Sequence, residues 1–346
     1  MPRLLQYAVI LALAGLAVYV VEGKTEELSG ASVYLEDLRW YWLVVAAVAE
    51  LGSIVAFAAL QRCLLSAGDV DIDTGPLVGI TFAGYAIQNS LPAGTVWSAV
   101  FTFRQFRHRG AGDVLAGWTL VGTTVLSQLL LVGIAGLGLA IAGGTGSALN
   151  LVGVILGMLV IAGGVLLLWT RRAAVAHHFA RPLARVQRVF HRPEGDPREL
   201  IRETLDHIAS VTPSGRNWAA AASMAGANWI LDLACLVVAF LAVGAAVPWR
   251  PLLLAYGAAQ LAANLPITPG GLGVVEGSLT IALVAYGGGR DSTVAAVLLY
   301  RLISYWALLP IGWVCWAVLR LTTRRSVRRA ALRATTPPLP MADTAT

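Results

Sequence analysis

An all-α protein threaded repeatedly through a membrane is the fold class this chain predicts, and three observations carry that expectation. The first is composition: 57% of the 346 residues are hydrophobic and 13% charged, with a mean hydropathy of +0.72, which leaves too few polar residues to coat a soluble globule. The second is run length, because apolar stretches of about 17–25 residues, enough to cross a roughly 30 Å hydrocarbon layer, recur along nearly the whole chain. The third is where the charge sits. The net charge is +6, and the cations, nearly all Arg, gather between apolar runs; that pattern sets membrane topology and does not call for a nucleic-acid partner.

Taken in order, the first run, "LLQYAVILALAGLAVYVV", follows Arg3 and ends in "EGKTEELSG" without a small-residue cleavage site. It reads as a retained span over about 4–21. Further spans are expected at 40–62, 113–142, 150–170, 217–241 and 293–319. Two other apolar regions, 76–106 and 251–288, are each broken in the middle, by "NSLPAG" (89–94) and by "NLPITPGG" (264–271). Their arms are about 12–16 residues long, roughly 18–24 Å as helix, short for a full crossing. Backbone broken at membrane depth is tolerated where protein shields it or where it lines a cavity.

Charge says which way each broken region faces. Arg62 precedes the first, and "RQFRHRG" (104–110) follows it with Arg104, Arg107 and Arg109. Both ends are therefore expected on the cytoplasmic side, making this region a re-entrant hairpin. The second would begin and end outside, at Arg250 and at Arg290/Asp291. The expected architecture is six spans plus two oppositely inserted re-entrant hairpins, an inverted repeat of the kind that builds a central site in transporters. Two proline kinks in ordinary crossing helices are the rival reading.

The resulting plan has a first membrane half, 1–170, with its hairpin at 76–106; a basic cytoplasmic loop, 171–216; a second half, 217–319, with its hairpin at 251–288; and a basic, unstructured cytoplasmic tail, 320–346. Both termini are expected in the cytoplasm and the protein in the cytoplasmic membrane. In the loop, "RPLARVQRVF" places Leu183, Val186 and Phe190 on one helical face with Arg opposite, suited to anionic headgroups. "DPRELIRETLDHIA" carries a capping box from Asp196 to Glu199.

Ionisable residues inside a membrane are costly and are usually paired or functional. Four stand out: Glu50, Asp232, Glu276 and Arg301. Glu276 and Arg301 are expected at similar depth, where they could pair beside a polar cavity. Arg301 would then hold an anionic headgroup, aided by the peptide N–H groups of the helix that starts after "PGG". A static ion pair is the alternative. Asn89 and Asn264 precede the breaks, and their amides can satisfy carbonyls freed by the turns. Pro92, Gly94, Pro266, Pro269, Gly270, Gly271 and Gly273 make the breaks themselves.

Enzyme signatures are weak. Asp69, Asp71 and Asp73 in "GDVDIDTG" alternate as metal loops do, but no acid follows at calcium-loop distance. Cys63, Cys235 and Cys315 have neither metal nor redox spacing. No metal or other cofactor is expected.

The stretch "LPITPGGLGVVEGSLTIALVAYG", followed by "AAVLLYRLISYWALLPIGW", resembles the second-half signature of the lysylphosphatidylglycerol synthase transmembrane-region family, the flippase-like or UPF0104 proteins. The resemblance covers most of the chain. It implies an integral membrane protein related to a lipid-flipping domain, and it picks out Pro269, Gly270, Gly271, Gly273, Glu276, Tyr300 and Arg301. The first half departs from the pattern. Family members usually follow the first break with an acidic residue and carry an E-R-x-x-D-like cluster on the next span, whereas here Thr95 and Val96 follow Gly94 and the span reads "VGTTVLSQLL".

No aminoacyl-transferase domain accompanies the membrane region, so a transporter-like role is expected in place of an enzymatic one. The expected partners are membrane lipids, either an anionic phospholipid or a polyprenyl-linked substrate, and an envelope-biosynthesis enzyme. A non-catalytic scaffold for such an enzyme is the second reading. An enzyme acting on polyprenyl lipids, with the aspartates at 69–73 as its handle, is the third.

Overall fold

The computed structural model describes residues 38–142, 215–264 and 268–335, with side chains through Thr322 except at Pro269. The expected spans 4–21 and 150–170, nearly all of the basic loop, and Pro266 lie outside the described residues. Within them the chain is all helix: α1 Trp40–Ser66, α2 Thr74–Ser90, α3 Gly94–Arg107, α4 Asp113–Ala142, α5 Gly215–Ala242, α6 Trp249–Ala263, α7 Val274–Ala285, α8 Arg290–Arg301 and α9 Leu308–Thr335. A π-helical segment, Leu302–Trp306, joins α8 to α9. Four of the described helical stretches are long and apolar enough to cross a membrane: α1, α4, α5 and the run Arg290–Thr322. α9 stays helical to Thr335, into the segment that the sequence suggests is an unstructured tail.

These helices are sorted inside out relative to a soluble protein. On α1, Ala46, Glu50, Ser53, Ala58, Gln61 and Leu65 face the interior at helical spacing, while Val44, Val48, Leu51 and Val55 are exposed on the opposite face. α9 repeats the pattern, exposing Ile311, Val314, Val318 and Leu321. Apolar surface turned outward with polar groups turned inward is stable only against a hydrocarbon solvent. The molecule is an integral membrane protein.

Both broken regions fold back on themselves. A methyl group at Gly84 in α2 would lie 3.1 Å from Ser98 Oγ and 3.3 Å from Thr102 Oγ1 in α3. In a merely kinked helix, residues 84 and 102 would be about 27 Å apart. The turn places Ala93 at φ 53° and seats Gly94 directly on the backbone of Gln88, where an added Cβ would fall 2.0 Å from the Gln88 carbonyl oxygen. Only glycine fits there. Arms α6 and α7 pack together in the same way around the second break.

The two described halves correspond closely. A spacing of 175 residues carries Ser53 to Asn228, and the same spacing carries the start of α1 to the start of α5 and that of α2 to that of α6. Ser53 and Asn228 touch each other: the Asn228 amide donates to Ser53 Oγ at 2.7 Å and to its carbonyl at 3.1 Å. Around this contact α1 and α5 run antiparallel, with the Arg39 N–H bound to the Ala242 carbonyl at 3.0 Å. The hairpins are exchanged between halves: α2 packs on α9, and α6 packs on α4.

Candidate functional site

Two buried clusters of polar side chains meet along α8, one at Tyr300 and the other at Arg301. The first is built on Asp232 of α5. Its Oδ2 accepts hydrogen bonds from Tyr256 Oη at 2.5 Å, Gln260 Nε2 at 2.9 Å and Tyr300 Oη at 3.0 Å. Tyr256 and Gln260 are four residues apart on α6, so one helical face delivers both donors. Glu50 reaches Asp232 from α1, and the Cys235 thiol also faces Glu50. Glu50 is 4% and Asp232 8% exposed.

The second cluster lies at the break between α6 and α7. Arg301 Nε donates to Glu276 Oε1 at 2.8 Å, its Nη2 donates to the Gly270 carbonyl at 3.1 Å, and its guanidinium lies 4.4 Å from the centre of the Tyr305 ring. Glu276 serves two purposes, because its other oxygen accepts the Gly273 N–H at 2.7 Å and so caps α7. Gly270 sits at φ 63° against Tyr305, and an added Cβ there would fall 2.3 Å from that ring.

The first hairpin packs against the same stretch of chain after Arg301. Asn89 donates to the Tyr85 carbonyl at 2.9 Å, and its own carbonyl accepts from Tyr305 Oη at 3.0 Å. Tyr85 Oη donates to the Ser304 carbonyl at 2.6 Å, within the π-helical turn, where the wider winding displaces backbone acceptors from their usual partners. Asn264 donates to the Gln260 carbonyl at 3.0 Å and to Gln128 Oε1 at 3.4 Å.

Of the residues singled out in the sequence, the structure therefore joins Glu50, Asp232 and Tyr300 in one network and Glu276, Arg301 and Gly270 in the adjoining one. Asn89 lies against Tyr305. Pro92 is an exposed turn residue, Gly271 packs against Ala263 and Val275, and Gly273 is the N-cap of α7. Tyr85, Tyr256, Gln260 and Tyr305 are additions. Their available signal was a hydroxyl or amide placed in an apolar helix at i, i+4 spacing from another polar residue.

The loop aspartates fall elsewhere. Asp71 accepts from Arg62 Nε at 3.0 Å and from Nη2 at 3.2 Å, and Arg62 Nη1 reaches Thr74 Oγ1 at 3.1 Å. With the two side chains 42% and 70% exposed, Asp71→Asn is expected to change stability by under about 1 kcal/mol. Thermal unfolding in detergent, compared at low and high salt, checks this.

Buried charge gathered beside a broken helix pair in an inside-out helical bundle defines a polytopic membrane protein with an internal polar site. The chain belongs to the family described as lysylphosphatidylglycerol synthase TM region, whose profile matches residues 4–312. A curated relative, the UPF0104 membrane protein of Methanothermobacter thermautotrophicus, is 42% identical over 86 residues, which is 25% of this chain and 24% of the relative. The similarity thus spans about a quarter of that protein's length.

Proposed function

We propose that this protein moves an anionic or lipid-linked headgroup between the leaflets of the cytoplasmic membrane. The observation that carries the reading is the pairing of buried Arg301 with part-buried Glu276 at a helix break, with the N-terminus of α7 beside it. A phosphate can take the place of the Glu276 carboxylate on the guanidinium, and it would also meet the Gly273 N–H that Glu276 now caps. The acyl or prenyl tails would stay in the surrounding lipid.

This reading places both hairpins as re-entrant elements within a six-span inverted repeat, with both termini in the cytoplasm. Several features support it. A methyl group at Gly68 would lie 2.5 Å from Leu115, so the loops before α2 and after α3 share one end of the bundle. The Arg39 N–H binds the Ala242 carbonyl, seven residues before Trp249 opens α6, which brings the start of α6 to the other end. Trp40, Tyr41, Trp249 and Tyr286, at the start of α1, the start of α6 and the end of α7, are exposed, as interfacial aromatic residues are. Single cysteines at Asp69 and His108 should be labelled by an impermeant reagent from one side, and those at Arg250 and Asp291 from the other. Labelling of Asp69 and His108 from opposite sides overturns the arrangement.

A scaffold for an envelope-biosynthesis enzyme is the competing reading, and one observation favours it: Arg301 already has a carboxylate, a carbonyl and an aromatic ring as partners. Reconstitution into liposomes with fluorescent anionic and zwitterionic lipids decides between them. Leaflet exchange faster than in protein-free vesicles, and selective for the anionic lipid, is the expected result. Exchange no faster than in empty vesicles rejects the translocase.

A further inference from the structure

The geometry points to a proton-binding site between Glu50 and Asp232, distinct from the Arg301–Glu276 pair, that couples a proton to the relative movement of the two halves. Asp232 already accepts from Tyr256, Gln260 and Tyr300. The antiparallel register fixed by the Ser53–Asn228 and Arg39–Ala242 bonds sets Glu50 beside Asp232 across the α1–α5 seam, and its Oε2 has no hydrogen-bond partner among the described residues, although it is buried. Two carboxylate groups are acceptors only, and two acceptors approach in a dry interior when a hydrogen lies between them. Arg301, which acts on Asp232, does not supply the balance, because it is bound to Glu276 at 2.8 Å. A proton on Glu50, donated to Asp232, completes the pair.

The groups that act on Glu50 come from four helices. They are Asp232 and Cys235 from α5, Tyr85 from α2, Tyr256 from α6 and Tyr300 from α8, and Arg301 acts on the pair through Asp232. Among these, Asp232 and Glu50 are the only two carboxyl groups. The pair also sits on the α1–α5 seam, one helical turn from the Ser53–Asn228 contact where equivalent residues of the two halves meet. A proton there holds the seam closed, and its departure leaves two like charges facing each other across the surface along which the halves would rock. The proton enters as H⁺ from one side and leaves as H⁺ to the other, with no other bond changed.

The site can be tested before any transport is known. Difference infrared spectroscopy of the full-length protein at neutral pH should show a carboxylic-acid carbonyl band that is lost in Glu50→Gln, while Glu276→Gln leaves it in place. A wild-type spectrum without that band overturns the site, and so does a band removed by sodium ions at constant pH, which would mean a metal cation in place of the proton. The coupling step rests on the proposed leaflet exchange and is read separately. In liposomes with an imposed pH gradient, the wild-type protein should build lipid asymmetry, whereas Glu50→Gln, which keeps an N–H donor toward Asp232, should exchange lipid with no response to the gradient. Exchange by wild-type protein that ignores the gradient overturns the coupling, while absence of any exchange counts against the transport reading and leaves the infrared result standing.

Discussion

Replacing Arg301 with Gln is expected to abolish leaflet exchange and to destabilise the protein by about 1–3 kcal/mol, because the change takes the charged partner from a part-buried carboxylate. Arg301 is 7% exposed, and its loss leaves the part-buried Glu276 with the Gly273 N–H in place of a charged partner. The Gly270 carbonyl also loses its donor. Lysine is a poor substitute, since a single ammonium cannot reach Glu276 and Gly270 with a planar fork while lying over Tyr305. The double replacement Arg301→Gln with Glu276→Gln separates the two roles of the pair. Removing both charges should recover most of the stability in thermal unfolding but none of the exchange. Exchange recovered along with stability would mean that the pair is only a clamp.

The second large effect concerns how closely the hairpins approach the helices that seat them. Gly312 of α9 lies against α2 so tightly that an added Cβ would fall 2.3 Å from the Phe82 carbonyl oxygen, and one at Gly138 of α4 would fall 2.3 Å from the Leu254 amide nitrogen in α6. The obstructing atoms are backbone, which cannot rotate away as a side chain can. Gly312→Ala and Gly138→Ala should therefore each cost about 1–3 kcal/mol, and leucine at either place should prevent assembly. Gly226, also helical, has nothing within 4 Å of its added Cβ. There the same Gly→Ala change should gain about 0.4–1 kcal/mol by restricting the unfolded chain. Thermal unfolding of the three alanine variants side by side checks both magnitude and sign.

Much of the membrane plan could be read from residues. "NSLPAG" and "NLPITPGG" announced the two breaks, and α2, α3, α6 and α7 begin and end within a few residues of the arms they implied. Glu276 and Arg301 could be paired in advance because an ion pair is the least costly arrangement of opposite charges at similar depth. The partners of Glu50 and Asp232 could not be found in that way. They depend on the antiparallel register of α1 against α5, and helical periodicity within either run carries no information about that register. The turn at the first break shows a similar limit. Gly94 was legible as a residue that permits a turn and a close backbone approach, and it does sit on the Gln88 backbone, but nothing in the sequence showed that Ala93 would take the left-handed conformation.

The exchange of hairpins between halves has a consequence for biogenesis. Tyr85 in the first hairpin binds the Ser304 carbonyl, 219 residues later in the chain. The first hairpin thus leaves the insertion machinery long before its permanent neighbour has been synthesised, carrying Asn89 and a turn full of backbone amides with no final home. Either the insertase or surrounding water must shelter it during that interval. Chains released before α9 emerges should become substrates for membrane proteases.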